Sequence, residues 1–203
     1  MNELLEKLLE VDQKDDFEDI FQPASPEEIQ SRLMEYINKI CTKNPDGTYS
    51  SSGNVDLSDR NLKSLPVKFK EVKGYFNCSH NQLTSLEGAP ERVGGDFYCS
   101  YNQLTSLEGA PERVGKSFSC SDNQLTSLEG APRSVGGYFS CSFNQLTSLE
   151  GAPKSVGRYF DCSYNQLTSL EGAPESVGGN FYCYANPLSK EELKKTADRD
   201  YLK

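Results

Sequence analysis

Seven cysteines and a single histidine are the side chains of this 203-residue chain best able to do chemistry. Six of the thiols, Cys78, Cys99, Cys120, Cys141, Cys162 and Cys183, recur every twenty-one residues, and Cys41 stands apart. Such a column could bind a metal as thiolates, cross-link as disulfides or, beside a histidine, supply a nucleophile. Each use asks for something the sequence lacks. Cysteine metal sites are built on close pairs, and no Cys-x-x-Cys occurs. A His-Asp or Cys-His couple would have to carry Asp96 or a core cysteine to His80. The glycine pairs recur as turns and make no phosphate-binding fingerprint. No catalytic residue, metal ligand or cofactor is therefore assigned.

The thiols are positioned by a repeat. Asn81, Asn102, Asn123, Asn144 and Asn165 each open the run Asn-Gln-Leu-Thr-Ser-Leu-Glu-Gly-Ala-Pro. A fixed period of this length predicts a solenoid, because one coil cannot bury its own apolar face and must stack on its neighbours. Within a unit, Phe139, Cys141, Leu146, Leu149, Ala152, Pro153 and Val156 are apolar. The alternation Phe139-Ser140-Cys141 predicts one short strand, followed by a turn and an extended return. The pairs Gly94-Gly95, Gly136-Gly137 and Gly178-Gly179 precede strands, where a sharp reversal often calls for positive φ. Stacking then lines up Phe, Cys, Leu and Asn ladders, the Asn amides serving backbone groups that the turn leaves unpaired. Equivalent cysteines would sit about 4.8 Å apart. That is wider than the roughly 3.5 to 4.5 Å a disulfide spans. Buried, reduced thiols acting as small hydrophobes are expected, which suits a reducing cytoplasm.

The wording Phe-x-Cys-x-x-Asn-x-Leu resembles the leucine-rich repeat frame Leu-x-Leu-x-x-Asn-x-Leu, with Phe and Cys in two leucine positions, over residues from about 55 to 188. Leu-Thr-Ser-Leu-Glu-Gly-Ala-Pro followed by Val-Gly-Gly-x-Phe-x-Cys-Ser is similar to leucine-rich repeat proteins encoded by tailed bacteriophages. More distantly it resembles the repeats of effectors that enteric pathogens inject into host cells. Those effectors carry a ligase domain after their repeats; here about fifteen residues follow Leu188, so ligase activity is not implied. The resemblance implies an α+β solenoid with about seven short parallel strands.

Flanking segments look helical. Leu4, Leu5, Leu8, Leu9 and Val11 form an apolar stripe, and Phe17, Ile20 and Phe21 follow an acidic run. Ser25-Pro26-Glu27-Glu28 is a capping box with proline at the first helical position. Ile29, Leu33, Ile37 and Ile40 continue at helical spacing, Cys41 closing the stripe in the core. Asn44-Pro45-Asp46-Gly47 is expected to end that helix, and Thr48-Tyr49-Ser50 with Asn54-Val55-Asp56-Leu57 to form a hairpin. The chain divides into an acidic helical N-terminal cap (1–43), a linker or hairpin (44–54), the solenoid (55–188) and a short C-terminal capping helix (189–203) that Ser189-Lys190-Glu191-Glu192 starts. Residues 55–74 make a degenerate first coil, and the two caps are expected to cover the open edges.

Net charge is −9, and residues 1–30 hold ten acids against Lys7 and Lys14, a balance of −8. The repeats are nearly neutral, so they lack the basic surface that direct nucleic-acid binding needs. No basic region followed by an apolar core opens the chain, and no apolar run approaches the roughly twenty residues of a membrane span.

Function is expected where the repeat varies. Before each Phe stand Tyr75, Asp96, Ser117, Tyr138, Tyr159 and Asn180; between Phe and Cys, Asn77, Tyr98, Ser119, Ser140, Asp161 and Tyr182; two after Cys, His80, Tyr101, Asp122, Phe143, Tyr164 and Ala185. Strand alternation puts the first two columns on the sheet face that is concave in a leucine-rich repeat, with the third flanking it. Drift alone would give ordinary charges, as at Glu91, Arg92, Arg133, Lys154 and Glu175. These columns instead gather Tyr, Asp, Ser and Asn, a paratope-like mixture of rigid aromatic area and adaptable polar groups. The expected partner-binding set is Tyr75, Asp96, Tyr98, Tyr101, Asp122, Tyr138, Phe143, Tyr159, Asp161, Tyr164 and Tyr182, with hot spots at Tyr98 and Tyr101 and at Tyr138, Phe143, Tyr159 and Tyr164. Tyr182 and Tyr184 either extend the surface or pack on the terminal helix.

The expected function is non-enzymatic protein binding; the resemblance to phage-encoded repeats implies a host protein, such as one of defence or metabolism, inhibited or redirected inside an infected bacterium. The alternative places function in the N-terminal segment, where Asp12, Asp15, Asp16, Glu18 and Asp19 would imitate nucleic-acid phosphates. A dimer through the Leu4–Leu9 stripe is a third reading.

Overall fold

The computed structural model describes residues 25–197. The stripe at Leu4–Val11, the segment Phe17–Phe21 and the acidic residues 12–19 lie outside them. The chain divides after Ile37 into two compact units. Helix α1 (Pro26–Ile40) starts as its capping box dictates. The Glu28 N–H donates to Ser25 Oγ at 3.2 Å, and the Ser25 N–H donates to Glu28 Oε2 at 2.8 Å. Leu33 and Ile37 form its buried face; Ile29, placed on the same stripe by spacing, is exposed.

From Asn38 onward the chain winds as a solenoid with two parallel strands per coil. One sheet has seven strands: β3 (Val55–Asp56), β5 (Phe76–Asn77), β7 (Phe97–Tyr98), β9 (Phe118–Ser119), β11 (Phe139–Ser140), β13 (Phe160–Asp161) and β15 (Phe181–Tyr182). The return segment, expected only to be extended, forms a second sheet. Its members are β1 (Thr42–Lys43), β2 (Tyr49–Ser51), β4 (Phe69–Val72), β6 (Arg92–Val93), β8 (Arg113–Val114), β10 (Ser134–Val135), β12 (Ser155–Val156) and β14 (Ser176–Val177). Helix α2 (Lys190–Ala197) follows, capped by Ser189 Oγ, which accepts from the Glu192 N–H at 3.1 Å.

Register runs one period per coil, Phe against Phe and Val against Val, so identical side chains stack. The rings of Phe76, Phe97, Phe118, Phe139 and Phe160 are fully buried, and neighbouring centroids lie 5.2 to 5.6 Å apart. A second kind of ladder satisfies the turn. Asn123 Nδ2 donates to the carbonyls of Cys99, Cys120 and Ser121, while its Oδ1 accepts from the Leu104 N–H at 3.0 Å. Every buried side-chain polar atom among the described residues has a partner.

Four local expectations change. Helix α1 ends at Ile40, before Asn44-Pro45-Asp46-Gly47, which instead turns the hairpin between β1 and β2. The hairpin therefore pairs Thr42–Lys43 with Tyr49–Ser51, and β3 opens the other sheet; β2 already stacks in parallel on β4, so solenoid pairing begins inside the segment read as a linker. Cys41 falls just beyond the helix and is half-buried. The glycine pairs do not use positive φ. Gly115 is needed because a Cβ there would collide with the Gly94 carbonyl oxygen of the coil beneath, whereas the left-handed glycine is that of Leu-Glu-Gly-Ala-Pro, such as Gly130 at φ 91°. At the far end, Cys183 is half-buried and Leu193 of α2 is 45% exposed, so the last coil is less sealed than those before it.

Candidate functional site

The seven-stranded sheet turns Phe and Cys inward because side chains alternate along a strand. Asp96, Tyr98, Tyr138, Ser140, Tyr159, Asp161 and Tyr182 consequently face outward, half-buried by one another. Beyond Cys78, Cys99, Cys120, Cys141 and Cys162 comes a buried serine, Ser79, Ser100, Ser121, Ser142 or Ser163, and beyond Cys183 the exposed Tyr184; a residue with left-handed backbone follows each. Asp59, His80, Tyr101, Asp122, Phe143, Tyr164 and Ala185 all have φ between 50° and 56°. This conformation costs an L-residue roughly 1–2 kcal/mol and suits Gly, Asn or Asp. Here it carries Tyr101, Phe143 and Tyr164, each about half exposed. Hydrogen bonds between coils hold it: the Tyr101 N–H donates to Ser121 O, and the Phe143 N–H to Ser163 O, both at 3.1 Å.

Two aromatic rows result. Along the strands, Tyr138 and Tyr159 stack at 4.7 Å with planes 3° apart, and Tyr182 continues the row at 5.9 Å. Tyr98 joins from two coils away. The intervening coil offers only Ser117 and Ser119 at these positions, so the Tyr98 and Tyr138 hydroxyls share a hydrogen bond, and Tyr98 also bonds the Asp96 carboxylate. Along the left-handed ridge, His80 stacks on Tyr101 at 4.3 Å, Tyr101 bonds Asp122, and Phe143 stacks on Tyr164 at 4.2 Å. Between the rows lies a strip of hydroxyls: Ser100 with Ser119 at 2.8 Å, Ser121 with Ser140 at 2.7 Å, and Ser142 with Ser121 at 3.0 Å. Asp161 interrupts it, accepting from the Ser163 N–H at 2.9 Å.

Burial pushes the Tyr98, Tyr138 and Tyr159 phenols above their ordinary range, so they stay neutral hydrogen-bonding groups. Burial also raises Asp122, an effect the Tyr101 hydrogen bond opposes. The thiols are more strongly affected: burial pushes Cys78 up to about 12, and Cys99, Cys141 and Cys162 well above the usual range. Each donates to the carbonyl of the next coil, as Cys120 Sγ does to Ser140 O at 3.4 Å. They are packed, protonated groups. His80 rests on Tyr101, and the carboxylate near it is Asp122, while Asp96 is engaged by Tyr98 and the Ser117 N–H. Among the described residues no three His, Cys, Asp or Glu side chains converge as a metal would require, and no helix is long and apolar enough to cross a membrane.

The residues singled out by variability thus gather differently from their sequence order. Tyr98 belongs with Tyr138, not with Tyr101, and Tyr75 precedes both rows, half-buried at the start of its column. Reading by alternation missed the serine strip and the left-handed ridge; the Ser that follows five of the six repeat cysteines and the shift to Asp59 and Asn61 in the first coil were the available signals. Tyr184, 66% exposed, extends the strand row through Tyr182 at 5.8 Å.

Fold and surface together define a repeat β-solenoid of parallel strands with an aromatic outer face. A scan of protein-family models finds no match to this chain, and a search of curated proteins finds no relative.

Proposed function

We propose that the chain is a non-enzymatic protein-binding module whose outer face on the seven-stranded sheet grips a partner protein. The observation that carries this reading is the placement of Tyr101, Phe143 and Tyr164. Each is half exposed on backbone that disfavours it. Neither burial nor local conformation asks for an aromatic ring there, and backbone strain of this kind collects at binding sites. The rows are also pre-organised, since stacking and the Asp96–Tyr98–Tyr138 bonds fix the side chains before a partner arrives. The repeat wording, similar to that of phage-encoded proteins, supports a setting in the cytoplasm of an infected bacterium, with a host protein inhibited or redirected.

Affinity capture from bacterial lysate tests this. The intact chain is compared with a folded variant carrying Tyr98, Tyr138, Tyr159 and Tyr164 changed to Ser, and with a chain lacking residues 1–24. A partner lost only with the tyrosines supports the reading. One lost only with residues 1–24 moves function to the acidic segment, a deletion that leaves the Ser25 cap and the β1–β2 pairing in place.

A further inference from the structure

On the left-handed ridge Asp122 lies between two stacked pairs, His80–Tyr101 on one side, whose Tyr101 hydroxyl bonds its carboxylate, and Phe143–Tyr164 on the other. Residues 101, 122 and 143 occupy equivalent positions in three successive coils, so Tyr101 and Phe143 are about 9.6 Å apart, twice the strand spacing. Each pair keeps one ring face for its partner and turns the other toward the coil of Asp122. The rings thus flank a slot one coil wide that holds the Asp122 carboxylate, with the Tyr101 hydroxyl bonded to it.

A flat group held by contacts of about 3.5 Å on each side needs ~7 Å, which small ring movements in such a slot provide. The chemistry selects a planar cation. Aromatic faces attract a cation through their quadrupole, and the carboxylate accepts its N–H groups. A guanidinium meets both demands at once, being flat, permanently charged and forked. The three outward columns carry Asp56, Asp59, Asp96, Asp122 and Asp161, with His80 near Asp122 but neither Lys nor Arg among them; Lys116 and Arg158 border the opposite margin, where the strands begin, in a groove with Ser117 and Gly137. We infer that the Asp122 slot receives an arginine side chain of the partner protein. This rests on the protein-binding reading above and names the residue type that the face recognises.

The probes are the peptides acetyl-Gly-Arg-Gly-amide and its citrulline counterpart, which keeps shape and hydrogen bonds but lacks the charge, followed by amide NMR shifts of the full chain. The arginine peptide is expected to shift Tyr101, Asp122 and Phe143 saturably in the millimolar range, at least fivefold more tightly than citrulline. Asp122→Asn should abolish that preference while the fold persists, since Asn is at home on left-handed backbone. Equal binding of the two peptides, no saturable shift at these residues, or arginine binding undiminished in Asp122→Asn overturns the inference. In lysate capture, a partner retained by Asp122→Asn but lost by the four-tyrosine variant also overturns the slot and leaves the face standing. A partner retained by both overturns the slot and the face together.

Discussion

The two sheets of the solenoid share one stacking period and one interior, yet their outward residues differ in kind. On the eight-stranded sheet the outward positions are Glu71, Arg92, Arg113, Ser134, Ser155 and Ser176, flanked by Lys70, Glu91, Glu112, Arg133, Lys154 and Glu175. Charges of both signs mix there, and the ion pairs that form, such as Lys154 with Glu175 at 3.6 Å, are solvent-exposed and contribute little. On the seven-stranded sheet, tyrosines and aspartates replace them, bonded and stacked into two rows. The same backbone therefore presents a solubilising surface on one side and an organised one on the other. Stacking alone does not produce the second kind, because the interior ladders close equally well beneath either.

If the interior is what holds the fold, insults to it should act on stability far more than anything done outside. The largest effect is expected from alkali. The buried thiols have folded pKa values raised above the ordinary 9.0, with Cys78 at about 12. Below pH 9 both states keep the proton and the stability is whole; above it the unfolded chain ionises first, so stability falls as pH rises towards the folded values. Each thiol removes about 1.4 kcal/mol per pH unit. Five acting together exceed a typical domain stability of roughly 5–15 kcal/mol within a few units. Circular dichroism should show cooperative loss of the sheet between about pH 10 and 12.

Phe118→Ala comes next, opening a cavity in the ring ladder at a cost of about 4 kcal/mol in chemical denaturation. Asn123→Ala follows at ~3 kcal/mol, since it strands the Leu104 N–H and removes the donor to three carbonyls. On the outer faces the effects should invert. Tyr138→Ser with Tyr159→Ser is expected to cost about 1 kcal/mol of stacking but to weaken partner capture at least tenfold. Arg113→Ser on the other sheet should move stability by less than ~0.5 kcal/mol and leave capture unchanged. Equal loss of capture from both faces would erase the distinction.

The interior was legible in the sequence because a period of twenty-one residues with apolar Phe, Cys, Leu and Val admits few ways to bury them. The seven-stranded sheet and both capped helices follow from that period and from Ser25 and Ser189. The second sheet was harder to see, since two-residue strands such as Arg113–Val114 show no alternation. The hairpin shifted because Asn44–Gly47, a turn sequence, serves strands on either side of it and does not stop the helix. Of the candidate face, the identity of the columns was readable but their grouping was not. Tyr98 meets Tyr138 only because Ser117 and Ser119 leave room, and the ridge depends on a left-handed residue that nothing in Tyr101 or Phe143 announces.

That ridge gives the most direct test of the account. Phe143→Asn with Tyr164→Asn replaces two aromatic rings by the side chain this backbone favours, and stability and partner capture can be measured on the same preparation. The account predicts stability unchanged or raised by up to about 1 kcal/mol, with capture lost. A fall of 2 kcal/mol or more with capture intact would mean that the rings serve the fold, and would contradict it.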